Sequence, residues 1–448
     1  MLIEASGDRF TAVTPGFSGA DAAVTPGVSG PAAPAPIRLP GLTLPGLANA
    51  HSHAFHRALR GITQAGRGTF WTWRERMYQV AAALDPASYL ALARAVYAEM
   101  ALAGITCVGE FHYLHHGPGG TPYADPNEMG KALISAAAEA GIRITLIDTC
   151  YLAGGLESDG RAMALAGPQL RFGDGDGDQW AARAEALGAD PRGVIGPLAR
   201  AGAAIHSVRA VPPAQMRPVI AWARDHGAPL HAHLSEQTAE NIACLAAYGA
   251  TPAEVLFAAG ALGPRGTVVH ATHLTGRDIE LLGGSRGFAC FCPTTEADLA
   301  DGIGPARALA SAGARLSLGS DSQAVIDLFE EARRVELGER LATQRRGHFT
   351  AAELASAATA GGHACLGWPD AGEIAPGALA DLVTVALDSP RLAGTVPATA
   401  LDSVIFAAAA ADVRNVVVGG RDVVRDGRHL LIDDVPATLA RAIRAVLA

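Results

Sequence analysis

Eight short apolar runs, set apart by alanine-rich stretches of helical periodicity, constrain the fold of this 448-residue chain more than any other feature. The runs are Leu42–His53, Thr106–Leu114, Arg143–Leu152, Ala203–Val211, Pro229–Glu236, Thr267–Leu274, Gly287–Thr294 and Arg315–Ser322. Between them lie Asp85–Ala103, Asn127–Ala140, Pro213–Arg224 and Ala306–Ala312, whose apolar residues recur every three or four positions. A strand reaches a parallel neighbour only through a crossover, so this alternation predicts a parallel sheet with helices packed outside it. Eight units predict a closed (β/α)8 barrel of the TIM type.

Two regions fall outside that count. Residues 1–43 are rich in Gly, Pro, Ala and Ser and carry only weak strand signals. Beyond residue 371 the signals are clearer: Asp381–Val385, Asn415–Val418 and Asp422–Arg425, followed by a helix-like end. The expected organisation is a barrel over 44–370 and a small β-sandwich built from 1–43 and 371–448, with a terminal helix.

Chemistry collects at the ends of the runs. The first closes on His51-Ser-His53, the fifth on His231-Ala-His233-Leu-Ser-Glu236, the sixth on His270-Ala-Thr-His273 and the eighth on Asp321. A His-x-His at a strand end places both imidazoles on one face, because side chains alternate with period two. A lone histidine in an apolar run is ordinarily a hydrogen-bonded core residue. Several strand ends carrying His or Asp on one rim, where barrel enzymes place their sites, point instead to a catalytic divalent metal. The expected ligands are His51, His53, His233 and Asp321, one ion per chain, with a coordination position left for water. Zinc suits so nitrogen-rich a set and iron also fits. The only lysine, Lys131, stands in a helical stretch and not at a strand end, which argues against a carboxylated lysine bridging two metals. The pattern reads as a metal-dependent hydrolase.

Glu236, three residues past His233, reads as a proton shuttle, with a helix-start carboxylate as the structural alternative. His270 is placed to orient the attacking water. His231 and His273 read as structural, and His112, His115 and His116 carry no assigned role. Cys290-x-Cys292 has no second pair to complete a tetrahedral site, so both read as buried thiols. Gly173-Asp-Gly-Asp-Gly-Asp178 lacks the glutamate of a calcium loop and reads as a flexible surface loop.

A net charge of −9 without a basic cluster argues against a nucleic-acid partner. No run of about eighteen apolar residues predicts a membrane span, and no basic-then-apolar start predicts a secretory signal. Six cysteines without framework spacing suit reduced thiols in the cytoplasm.

From about Pro45 to Arg428 the chain resembles the amidohydrolase superfamily and, within it, the formimidoylglutamate deiminases. The resemblance rests on Asn49-Ala-His-Ser-His-Ala-Phe55, Phe70-Trp-Thr-Trp-Arg74, Gly109-Glu-Phe-His-Tyr113-Leu-His-His116 and His206-Ser-Val-Arg209. It extends to His233-Leu-Ser-Glu236-Gln, Pro293-Thr-Thr-Glu-Ala-Asp-Leu299 and Gly319-Ser-Asp321-Ser. It implies zinc-dependent hydrolysis of N-formimidoyl-L-glutamate to N-formyl-L-glutamate and ammonia in histidine degradation, by a homodimer. Glu236, His270 and Asp321 would be catalytic, and Arg74, Tyr113, His206 and Arg209 would bind substrate. A substrate with two carboxylates agrees with two arginines, whose planar donor fork matches a carboxylate. The alternative is another deaminase of the same superfamily, acting on guanine, adenosine or a chlorotriazine through the same single-metal site. Two departures bear on specificity. His56, a further substrate-binding candidate, replaces a customary glutamine, and Gln323 stands where histidine is common, both expected to touch the pocket.

Overall fold

Each of the eight runs contributes a strand to one parallel sheet. The computed structural model describes residues 1–15, 36–157, 161–190 and 193–448. The barrel strands are β1 (Leu47–Ser52), β2 (Ile105–His112), β3 (Arg143–Cys150), β4 (Ala199–Ile205), β5 (Leu230–Leu234), β6 (Gly266–His270), β7 (Phe288–Phe291) and β8 (Arg315–Leu318). They pair in sequence order from β1 to β8. Closure between β8 and β1 rests on a single bridge, Ser52 to Asp321. There the His53 amide donates to the Asp321 carbonyl at 3.1 Å and the Asp321 amide to the His51 carbonyl at 3.0 Å. Strands β1, β2 and β3 are buried along their whole length, as expected where the barrel interior and outer helices cover both faces.

The helices begin and end where local chemistry dictates. Asp85 accepts the Ser88 amide at 2.7 Å and Pro86 opens the first turn of helix Pro86–Leu102. Gly141, at φ +79, ends helix Glu128–Ala140 in the left-handed conformation that glycine adopts without steric cost.

Two runs differ from expectation. The first is two strands: Leu42–Pro45 leaves the barrel and pairs antiparallel with Leu382–Val385, while β1 starts at Leu47. The break falls on Pro45-Gly46, and a Cβ at Gly46 would lie 2.2 Å from Thr106 Oγ1. The fourth strand lies earlier than its apolar run, at Ala199–Ile205, because small residues in Ala-Arg-Ala-Gly-Ala-Ala mask it. Pairing with β3 and β5 imposes the extended form regardless.

The small domain is a five-stranded antiparallel sheet of Arg428–His429, Arg421–Arg425, Val413–Val418, Leu382–Val385 and Leu42–Pro45. A hairpin of Leu2–Ser6 and Arg9–Thr14 lies against it, with Phe10 packed on Ala380 and Leu382. Residues 16–35 of the N-terminal segment assigned to this domain lie outside the described residues. The terminal helix Val435–Leu447 docks on the barrel, where Val435 packs against Ala98. Among the described residues no single helix is long and apolar enough to cross a membrane.

The aspartate-glycine segment at 173–178 is not a free surface loop. Asp176 caps helix Gly177–Gly188, and Asp174 is drawn inward to Arg183 Nε at 2.8 Å and His116 Nε2 at 3.0 Å. Arg183 also holds Asp148 at 2.7 Å, which accepts the Trp180 indole N–H at 2.8 Å. His115 sits beside this buried network, donating from Nε2 to the Thr149 carbonyl at 2.9 Å. Lys131 lies in helix Glu128–Ala140 and pairs with Asp125 and Asp190, not with a group of the metal site.

Candidate metal centre

The four expected ligands meet at the C-terminal rim. His51 lies in β1 and His53 one residue past it; His233 lies in β5, and Asp321 follows β8 by three residues. Backbone carbonyls fix the imidazole tautomers. A carbonyl only accepts, so His53 Nδ1–H donates to Phe111 O at 3.0 Å and His233 Nδ1–H to His206 O at 3.1 Å. Both Nε2 lone pairs are thereby left facing inward. His233 Nε2 lies 3.1 Å from His51 Nε2, and Asp321 Oδ1 lies 3.4 Å from the Nε2 atoms of both His51 and His53. Bonds of about 2.0–2.1 Å to a tetrahedral zinc imply ligand–ligand edges of roughly 3.3 Å. The donor set therefore fits a divalent cation.

Electrostatics agree. Burial lowers the pKa of His51, His53 and His233, keeping them neutral and basic as ligands must be. Burial opposes the charge on Asp321, yet its hydrogen bond and proximity to His51, with His270 and His53 nearby, hold its carboxyl well below the usual range. The close approach of β8 to β1 needs Gly319, where a Cβ would meet His51 Cβ at 2.7 Å and Cys292 Sγ at 2.9 Å.

Glu236 and His270 stand beside this set. His270 Nε2 is 3.8 Å from Glu236 Oε1 and 3.8 Å from Asp321 Oδ2. Burial disfavours its charge, but Glu236, Glu296 and Asp321 outweigh burial and raise the imidazole well above its ordinary value. His270 (φ +69), Asp321 (φ +41) and Ser235 (φ +50) all adopt the left-handed region that non-glycine residues rarely occupy. Such strain gathers at functional sites.

A cavity open to solvent leads to the rim and is lined by His56, Arg74, Tyr113, His206 and Arg209 together with Glu236, His270 and Asp321. His56 Nε2 is 3.2 Å from the Tyr113 hydroxyl, and burial brings its pKa down to about 3. Burial also lowers His206, with Arg209 adding to the effect, so both are neutral donors at pH 7. Arg74 donates to the Tyr78 hydroxyl at 2.7 Å. Arg209 makes no hydrogen bond or ion pair among the described residues, although Glu240 lies close enough to stabilise its charge over the cost of burial. Burial pushes the Glu240 carboxyl up to about 7 against the pull of Arg209.

The structure separates the two departures seen in the sequence. His56 lines the cavity, whereas Gln323 is 0% exposed and lies beneath the rim, not in the pocket. His231 is bound deep in the barrel to the Cys365 carbonyl at 3.1 Å. Sequence reading missed Glu240, and it missed Glu296, which faces His270 Nδ1 at 3.4 Å and accepts the Cys292 amide at 2.8 Å. Glu296 sits within the Pro293–Leu299 motif, so a signal was present. Glu240 gave none beyond its place one turn after Glu236.

Comparison with known proteins follows the same lines. The sequence profile of the amidohydrolase family matches residues 42–423. The formimidoylglutamate deiminase of Pseudomonas aeruginosa is 39% identical over 406 residues, 88% of this chain and 86% of that protein. An amidohydrolase from Brucella melitensis superposes with a TM-score of 0.88 at 33% identity, covering 100% of this chain and 96% of that one. An adenosine deaminase from Xanthomonas campestris with bound zinc superposes at 0.75 and 26% identity, covering 90% and 85%.

Proposed function

The chain belongs to the amidohydrolase family as a hydrolase of carbon–nitrogen bonds, and we propose that it hydrolyses N-formimidoyl-L-glutamate to N-formyl-L-glutamate and ammonia. One observation carries the choice of substrate: a half-buried guanidinium without a hydrogen-bond acceptor among the described residues, Arg209, shares the cavity with Arg74. An unpaired cation in a cavity wall calls for an anion from outside, and two arginines suit two carboxylates better than they suit a neutral base.

His51, His53, His233 and Asp321 hold one zinc per chain in this reading, and iron would fit the same donors. When bound, the metal lowers the pKa of water in the open position toward neutrality. The protein's own groups then do the rest. Arg74 and Arg209 hold the carboxylates, with Tyr113, His206 and His56 adding neutral hydrogen bonds. Asp321 and His270 orient the water toward the formimidoyl carbon, and the Asp321 carboxylate receives its proton. Glu236 delivers a proton to the imino nitrogen as the C–O bond forms, giving a tetrahedral carbinol. The proton taken up by Asp321 then passes to that nitrogen, while the carbinol O–H returns a proton to the Glu236 carboxylate. The C–N bond breaks as the C=O bond forms, because ammonia leaves far more readily than amide anion. The place in metabolism is histidine degradation, in the cytoplasm, with the enzyme a homodimer.

Ammonia release tests this reading. Metal-loaded protein is offered N-formimidoyl-L-glutamate, N-formimidoyl-L-aspartate, guanine and adenosine. Preferred turnover of the glutamate compound is expected. Preference for a purine would transfer the reading to the alternative deaminases, which the aromatic walls Trp73, Tyr151 and Phe172 would accommodate.

A further inference from the structure

Below the rim, one chain of hydrogen bonds joins the two strand ends that bear three of the four ligands. Asn49 Nδ2 donates to Ser320 Oγ at 2.7 Å, and Ser320 Oγ donates to Gln323 Oε1 at 2.8 Å. Gln323 Nε2 donates to Ser52 Oγ at 2.9 Å, and Ser52 Oγ donates to Glu110 Oε2 at 2.7 Å. The second Gln323 N–H reaches the Asp321 carbonyl at 3.0 Å, while the Ser320 amide returns a bond to Asn49 Oδ1 at 2.9 Å. Asn49, Ser52, Glu110, Ser320 and Gln323 are each 0% exposed. Along the side-chain path from Asn49 through Ser320, Gln323 and Ser52, each donor points toward the Glu110 carboxyl group.

The place of this network matters. Every other neighbouring pair of barrel strands is joined by a ladder, but β8 and β1 share only the Ser52–Asp321 bridge. His51 and His53 flank Ser52, and Asp321 lies between Ser320 and Gln323 in sequence. The geometry points to Gln323 as a positioning residue that latches the seam of the barrel and sets the distance from Asp321 to His51 and His53. The inference rests on the metal reading above. A primary amide suits the position because it accepts from one hydroxyl and donates to the other. A neutral imidazole can do the same with its two nitrogens, whereas an apolar side chain of similar size can do neither.

The test is zinc affinity by competition with a chromophoric chelator, with melting temperature read with and without metal. Uptake of zinc by the wild-type protein checks the underlying reading separately, since its failure there would sink the metal site itself. In Gln323→Met the zinc dissociation constant is expected to rise about 10–100-fold, the usual effect of losing a group that orients ligands. With metal saturating, kcat should fall while KM holds, because Gln323 does not line the cavity. Gln323→His is expected to recover most of the affinity. Ser52→Ala removes one hydroxyl from the same chain and keeps the test open if Gln323→Met does not fold; its zinc affinity should weaken too. Wild-type affinity in either Gln323→Met or Ser52→Ala, or equal loss in Gln323→Met and Gln323→His, would overturn the proposal.

Discussion

Replacing Arg209 with methionine tests the substrate assignment most directly. The guanidinium lines the cavity, is not tied to any protein acceptor, and has Glu240 and Glu236 as its electrostatic neighbours. A substrate carboxylate docked there would receive two charge-assisted hydrogen bonds, each contributing about 1.5–3 kcal/mol. Partial exposure at the cavity mouth argues for the lower end, so the loss is about 3 kcal/mol, or roughly 10²-fold in kcat/KM. Most of it should appear in KM, because the contact is remote from the reacting carbon and is made equally before and during reaction. Without Arg209 the Glu240 carboxyl, already pushed up to about 7 by burial, should rise further and become neutral, which limits added repulsion toward substrate. Steady-state ammonia release, with metal content measured on the same sample, gives the answer. An unchanged KM at wild-type turnover and full metal occupancy would remove Arg209 from the binding site.

Other outcomes follow from the same geometry. Glu236→Gln keeps the shape of the side chain, so it should retain bound metal while turnover falls roughly a hundredfold; normal turnover would end the shuttle assignment. Chelation should abolish activity and one equivalent of zinc per chain restore it, whereas two metal equivalents in the active form would overturn the single-ion site. Away from the site, burial opposes the charges of Asp148 and Asp174, yet Arg183 (with His116 at Asp174) holds both carboxyls below their ordinary range. Stability from such depressed carboxylates is complete above about pH 4 and is lost as pH falls below it. Arg183→Met strands those carboxylates and should cost about 3–5 kcal/mol near neutrality. Their pKa values then rise, so the gap in melting temperature to wild type should narrow between pH 7 and pH 4; a constant gap would contradict this.

Much of the architecture was legible in the chain because burial on both faces leaves long apolar strands, and Asp85, Pro86 and Gly141 punctuate helices in the usual way. What misled was local composition. The run at Leu42–His53 gave no sign that Pro45-Gly46 splits it between two sheets. The alanines and glycine of β4 hid a strand that only its neighbours impose. Asp174 looked solvated among glycines, yet Arg183, nine residues on, draws it inside. In the site, His-x-His spacing and strand ends located residues that the fold gathers within hydrogen-bonding distances. Gln323 was misjudged because sequence adjacency to Asp321 does not tell which way a side chain turns after a left-handed residue.

The pairing of Leu42–Pro45 with Leu382–Val385 has a practical corollary for anyone who would isolate the catalytic barrel. Cutting away the last seventy-odd residues would strip that strand of its neighbour and leave its amides and carbonyls open to any extended segment in solution, the usual template for aggregation. Only Gly46 separates it from the strand that carries His51 and leads straight to His53, so tension or register slip there would reach the ion-binding histidines directly. Excision at either end is therefore expected to yield insoluble material instead of a smaller working enzyme.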